Sequence, residues 1–521
     1  MPKAKLNRTN KPDQKVSQQA FSEYPRCAGV LLHITSLPSA FGVGDFGPKA
    51  YEYADFLHRS GQNIWQILPI NSSSRSQGFS PYGSDGAFAG NHLLISPELL
   101  MKDGLLSKQD IQRNTVKGNT KTDYEKAQRA KDVLFAKAYQ KFQSSRSGKE
   151  FQSFCKAENK WLHTYSVYIL LKKQHDDKSW NQWEENYKQH DEKSVKAFAK
   201  AQEEELIEIK WQQWIFHKQW FALKEYCNHL GVKIFGDLPF YVAYDSADVW
   251  ANQHLFKLDT HGNMQSESGA PPDDFNVDGQ RWGMPVYNWK TVQNEKFDWW
   301  LRRLKKNTSL FDLLRLDHFR GFSAYWEIPV KAASAKEGAW KPAPGEALFT
   351  EFKKKAGALP LVAEDLGTID EPVIILRNQF RIPGMIIQQV GFGADMPQSE
   401  SILHHHHHHS VIYTGNHDNN TLIGWFKSLP RDTQQNVSLY TRQEVTENNV
   451  CDVLQHLVYS SVAKMAILPM QDLLQLDSDT RMNSVPNDGA SWSWRMPANA
   501  LTKKIETYLS NLCYLYDRAR K

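Results

Sequence analysis

A chain of 521 residues can bury a large core, either as one big barrel with insertions or as three ordinary domains. Its 63 Lys and Arg against 58 Asp and Glu leave a net charge of +5, too mild an excess over this length to predict a nucleic-acid surface. Five cysteines, odd in number and free of CxxC spacing, argue against a disulfide scaffold and against a zinc site. No apolar run approaches the ~20 residues that span a bilayer, so no membrane partner is expected either.

The first 24 residues are polar and lysine-rich and lack the apolar segment of a secretory signal, so residues 1–25 are expected to be a disordered tail and the location cytoplasmic. From there, eight short apolar runs recur at 29–33, 64–70, 232–240, 313–319, 359–366, 384–390, 410–417 and 465–473. Each is bounded by turn residues, and helical patterns lie between many of them. That alternation predicts parallel βα units, most economically an α/β fold of the (β/α)8 TIM-barrel type, with a doubly wound sheet as the alternative. In a barrel, the working residues gather at the C-terminal ends of the strands.

Residues 26–97 are expected to form the first part of the barrel, 226–244 a barrel strand and 301–521 the remainder. Residues 98–225 are rich in Lys, Glu and Gln, and the spacing of Trp211, Trp214, Ile215 and Lys218 predicts a helical insertion. Residues 245–300 show no clear period and read as a Gly/Pro/Asn-rich loop subdomain lying over the site as a lid.

Three motifs point elsewhere and fail on context. GVGDFG at 42–47 fits the dinucleotide fingerprint, but the preceding run ends near His33 and no acid closes the next one. Asp274 to Gly279 begins like a calcium loop, yet Pro285 stands where a bidentate Glu belongs. The six histidines at 404–409 cannot all face one ion. No metal or organic cofactor is expected.

Four acids sit at strand ends: Asp237 in FGDLP, Asp317 in LLRLDHFRG, Glu364 with its neighbour Asp365 in LVAEDLG, and Asp418 in YTGNHDNNT. Such like-charge crowding is costly unless chemistry requires it. Retaining glycosyl transfer does: one carboxylate attacks the anomeric carbon and a protonated one serves the leaving oxygen. Arg315 shares a strand face with Asp317 and should hold it ionised, which suits a nucleophile. Glu364 follows the apolar Leu361-Val-Ala363 without an adjacent arginine, which suits a proton donor, although alternation alone leaves Asp365 open. Asp418 would bind sugar hydroxyls and help distort the ring, with His318 and His417 as hydrogen-bond donors.

The same residues carry a resemblance. LLHITSLPS, WQILPI, SPYGSDGAFAGN, GDLPFYVAYDSADVWA, GQRWGMPVYNW, LRLDHFRGFSAYWEIP, LVAEDLG, YTGNHDNNT, RMN and WSWR, in that order, are similar to the 4-α-glucanotransferases (amylomaltases or disproportionating enzymes) of the α-amylase-like barrel clan. The resemblance runs from about residue 26 to residue 496. It implies transfer between α-1,4-glucans, such as maltooligosaccharides, glycogen or starch, with glucose also accepting. It further implies Asp317 as nucleophile, Glu364 rather than Asp365 as acid/base and Asp418 as transition-state stabiliser. Tyr82, Asp237, Trp282, Arg315, His318 and His417 would line the substrate site. The chain departs from the family pattern at Met284 (usually Asn), Asp274 (usually Tyr), Asn416 (usually Thr) and 484–488, where relatives turn on Pro-Gly-Thr. None of these removes a catalytic carboxylate. An α-glucan hydrolase of the same clan and a catalytically silent glycan-binding protein are the alternatives.

Overall fold

Eight strands are buried along all or nearly all of their length, the pattern of a parallel sheet covered on both faces. They are β1 (Cys27–Leu31), β2 (Ile64–Gln66), β3 (Lys233–Leu238), β4 (Leu313–Leu316), β5 (Leu361–Ala363), β6 (Gly384–Ile387), β7 (Ser410–Tyr413) and β8 (Met465–Pro469). The computed structural model describes residues 19–118, 120–144, 148–272, 277–484 and 491–519. The order in space follows the order in sequence, every registered pair is parallel, and β8 returns to pair with β1. Between β5 and β6 the Ala363 amide donates to the Pro383 carbonyl at 2.8 Å, which closes the cylinder. The expected (β/α)8 barrel is therefore the observed architecture, and each strand falls in or beside its apolar run.

The helices form where the sequence gives one apolar stripe. Pro48–Arg59 starts with Pro in its first turn and buries Ala50, Tyr53, Ala54 and Leu57, a three-and-four spacing that lays one face on the barrel. The GVGDFG segment is the turn into this helix. Asp45 accepts from the Gly47 amide at 2.9 Å and from the buried Lys131 ammonium, also at 2.9 Å. Residues 98–225 contain the long helices Tyr124–Gln143 and Lys149–Gln174. Glu203–His229 runs past position 225 and leads into β3, and its Trp220 donates to the Leu310 carbonyl at 3.1 Å, so this last helix also forms part of the barrel wall. No helix among the described residues is long and apolar enough to cross a membrane.

The stretch without a period is more ordered than its sequence suggests. Ser266–Ala270 and Gln280–Pro285 join Ala324–Pro329 and Ala339–Pro342 in a four-stranded antiparallel sheet. The last two strands come from a segment assigned above to the barrel. No apolar run marks them because the first strand, SESGA, is buried although its residues are small or polar, and the second, QRWGMP, carries Gly283 at φ +65°. The calcium-like motif lies partly, and Asp274 wholly, outside the described residues. The histidines at 404–409 precede β7 and are therefore at the N-terminal rim, opposite the strand ends. They do not converge on one point: His404 and His405 share the Pro397 carbonyl, His406 meets Ser461 and His409 meets the Arg381 carbonyl.

Gly236, inside β3, is a close-approach position, since an added Cβ would lie 2.2 Å from the Phe311 ring. Gly236→Ala is expected to lower stability by about 1–3 kcal/mol. Denaturant unfolding measures this, and an unchanged midpoint would refute the contact.

Candidate active site

The register between β3 and β4 sets Asp237 directly opposite Arg315. From there the Arg315 Nη1 reaches both Asp237 oxygens, at 2.9 and 2.7 Å, and Asp317 Oδ1 at 2.8 Å. Burial pulls the guanidinium's pKa down, but Asp237 and Asp317 together outweigh it and raise it well above its ordinary value. Desolvation raises the Asp317 carboxyl above the usual range while Arg315 opposes the rise, so the arginine's hold on the charge is present but does not win outright. The expectation from the sequence omitted that burial cost. Asp317 keeps 27 % of its side chain exposed, whereas Asp237 is wholly buried. Asp237 and Arg315 therefore stand behind the site and do not face the cleft.

His318 adopts a left-handed backbone (φ +49°). Its amide donates to Glu364 Oε2 at 2.8 Å, and the Leu366 amide donates to Oε1 at 3.1 Å. Glu364 is fixed in turn by the β4–β5 ladder, its amide reaching the Leu316 carbonyl at 3.0 Å. Burial, with Asp317 adding repulsion and Arg315 opposing, pushes the Glu364 carboxyl up to about 8. Asp365 has other partners: it is ion-paired to Arg377 and accepts the Met385 amide at 2.8 Å. The two acids thus differ in their neighbours, a difference that strand alternation does not show.

Asp418 follows β7 in a turn closed by Asn416, whose side chain accepts the Asp418 amide at 2.8 Å. A threonine hydroxyl can make the same turn, so this departure leaves the local geometry intelligible. Asp418 Oδ2 lies 3.2 Å from His417 Nε2, and Oδ1 accepts from Asn483 at 2.8 Å. Burial raises this carboxyl, but His417, Arg315 and Asn483 more than offset it and hold it below the usual range.

Tyr82 joins the two halves. Its hydroxyl lies 2.7 Å from Asp237 Oδ2 and 2.6 Å from His417 Nε2. The one hydroxyl proton goes to the carboxylate, which only accepts, so His417 must donate through an Nε2–H. Burial lowers the His417 pKa, which keeps the ring neutral and leaves Nδ1 bare. The Tyr82 and His417 rings lie nearly parallel, 5.4 Å apart. His318 is pushed down to about 4 by burial and nearby arginines, and its Nε2 is buried without a protein partner. Trp282 meets the His318 ring edge-on at 4.9 Å.

The nine residues singled out in the sequence thus converge on one end of the barrel. Sequence reasoning missed Asn483 and Arg481, which hold Asp418 through its side chain and its carbonyl. It also missed His33, pushed down to about 3 by burial and by His417. Their signal was the RMN and LLHITSLPS motifs, whose polar residues had no assigned task. Met284 lies in the Gln280–Pro285 strand and packs half-buried against the core, while 485–488 lie outside the described residues. Among the described residues no cluster of three or more His, Cys, Asp or Glu could hold a metal ion.

Comparison with known proteins identifies the family. The sequence model of the family described as 4-alpha-glucanotransferase, glycoside hydrolase family 77, matches residues 32–502. A 4-alpha-glucanotransferase of Streptococcus pneumoniae is 40 % identical over 95 % of this chain and 97 % of its own length. A chloroplastic/amyloplastic one of Solanum tuberosum is 37 % identical over 94 % and 85 %. The solved amylomaltase of Streptococcus agalactiae in complex with acarbose superposes with a TM-score of 0.91 at 36 % identity, covering 95 % of this chain and all of that one. The amylomaltase of Corynebacterium glutamicum, at 17 % identity and a TM-score of 0.75, shares the fold. The chain belongs to glycoside hydrolase family 77, the 4-alpha-glucanotransferase family.

Proposed function

We propose that the protein transfers a segment of an α-1,4-glucan to the 4-hydroxyl of another glucan or of glucose, with retention, through a covalent ester on Asp317. The observation that carries this reading is the unequal treatment of two neighbouring acids. Asp317 is ion-paired to a buried guanidinium, while Glu364 takes only backbone amides and is pushed up to about 8. One is thereby suited to attack and the other to carry a proton.

In the first step Glu364 donates its proton to the glycosidic oxygen as Asp317 attacks the anomeric carbon, and the leaving chain departs with its new 4-hydroxyl. Asp418, with His417 beside it, holds sugar hydroxyls and favours the flattened, positively charged ring. In the second step the Glu364 carboxylate takes the proton from an incoming 4-hydroxyl, whose oxygen displaces the Asp317 ester. Transfer prevails over hydrolysis when the acceptor is held well enough to outcompete water. We read the four-stranded sheet that carries Trp282 as the wall that shapes acceptor binding. A cytoplasmic location is part of this reading, on the five cysteines, none of them in a disulfide.

Incubation with maltotriose is expected to give glucose and a ladder of longer oligosaccharides; maltose and glucose alone would instead mean a hydrolase. Asp317→Asn should lower turnover on the order of 10⁴-fold while maltooligosaccharide binding persists. The pH profile of kcat/KM is expected to fall on its basic side near the Glu364 value of about 8, because the first step needs the protonated acid. A basic limb that survives unchanged in Glu364→Gln would contradict that assignment.

A further inference from the structure

Both hydrogen bonds to the Glu364 carboxylate come from backbone amides, one in the turn after β4 (His318) and one in the loop after β5 (Leu366). The barrel ladder ties the turn to Glu364 only at its root, through the Phe319 amide and the Glu364 carbonyl at 3.0 Å. Arg320 spans the turn and the loop. It is buried, two residues beyond His318, and its Nη1 donates to the Thr368 carbonyl at 2.8 Å while Nη2 pairs with Asp370 at 2.8 Å. The face of the guanidinium lies 3.7 Å from the centre of the Trp340 ring. Trp340 belongs to Ala339–Pro342, an outer strand of the same four-stranded sheet in which Gln280–Pro285 brings Trp282 against His318. The sheet therefore meets the 318–320 turn at two points.

We propose that Arg320 is a positioning residue for the acid/base step, clamping the two amide donors of Glu364 together and seating the Trp282 sheet on them through Trp340. The inference rests on the reading of Glu364 as acid/base. A planar, forked cation is the side chain that can bond a carbonyl and a carboxylate edge-on while stacking on a ring, and lysine cannot do all three. Amide donors favour the ionised carboxylate, so loosening them should raise the proton affinity of Glu364 and misplace its proton relative to the leaving oxygen.

The test compares two donors. A maltooligosaccharide needs its leaving oxygen protonated. An α-maltosyl fluoride does not: the Asp317 oxygen bonds to the anomeric carbon and the C–F bond breaks to fluoride with little help from an acid. In Arg320→Met, kcat/KM for maltotetraose is expected to fall about 10²-fold, within the range of general acid catalysis, while first-turnover fluoride release falls less than about threefold. The basic limb of the maltotetraose profile should move upward, and Arg320→Lys should recover part of the loss. Equal losses on both donors with an unmoved pH profile would overturn the proposal. Should Arg320→Met fail to fold, Trp340→Leu at a half-buried position gives the same readouts, and an unchanged ratio of the two donors there overturns it equally. Glu364→Gln run alongside separates the two ideas, because if it does not spare fluoride release, the acid/base reading itself fails.

Discussion

The buried guanidinium of Arg315 is the constraint on which the site depends. Removing a cation from water is expensive, and the cost is met only because β3 and β4 pair in the register that brings Asp237 alongside it. Asp237 alone would neutralise the arginine and leave a structural pair. The second carboxylate, Asp317, is bound by the same nitrogen and remains partly open to the cleft. The surplus negative charge is then shared out: Glu364, close by and hydrogen-bonded only by amides, takes the proton that the cluster cannot afford to lose. The difference between the two acids thus follows from burial, which raises both, and from a guanidinium that pairs directly with Asp317 and not with Glu364.

A parallel barrel makes this arrangement reachable. Asp237, Asp317, Glu364 and Asp418 are far apart in sequence, yet each stands at or just past the end of a different strand, and the strands end on the same rim. The helices and the small sheet then supply what the rim alone lacks. Asn483 and Arg481 hold Asp418 from the segment after β8, and the sheet brings Trp282 and Trp340 down on the turn after β4.

How much of this could be read from the sequence varied with how local the cause was. The eight strands were legible because a doubly covered parallel strand is a continuous apolar run, and the runs at 313–319 and 465–473 stand out against their flanks. The acids were legible because each breaks such a run. The small sheet was not, since its strands at Ser266–Ala270 and Gln280–Pro285 are built of small, polar and glycine residues and show no apolar run. Nor were the choice of Glu364 over Asp365 from alternation, the burial cost on Asp317 and the clamp at Arg320. Each depends on a partner from a distant segment: Arg377 for Asp365, Thr368 and Trp340 for Arg320. Residue type and spacing along one strand carry no record of those neighbours.

The hydrogen bonds through Tyr82 run in a single direction, from His417 to the tyrosine oxygen and from the tyrosine hydroxyl to Asp237. The single Nε2–H of the neutral ring is thereby already engaged, and Nδ1 is buried without a protein partner, so the imidazole has no second donor to offer the cleft. Asp418 Oδ2 lies 3.2 Å from the same nitrogen and, unlike the ring, remains partly exposed. The tyrosine bond thus fixes the tautomer and plane of the imidazole, and the ring meets the cleft only beside the Asp418 carboxylate.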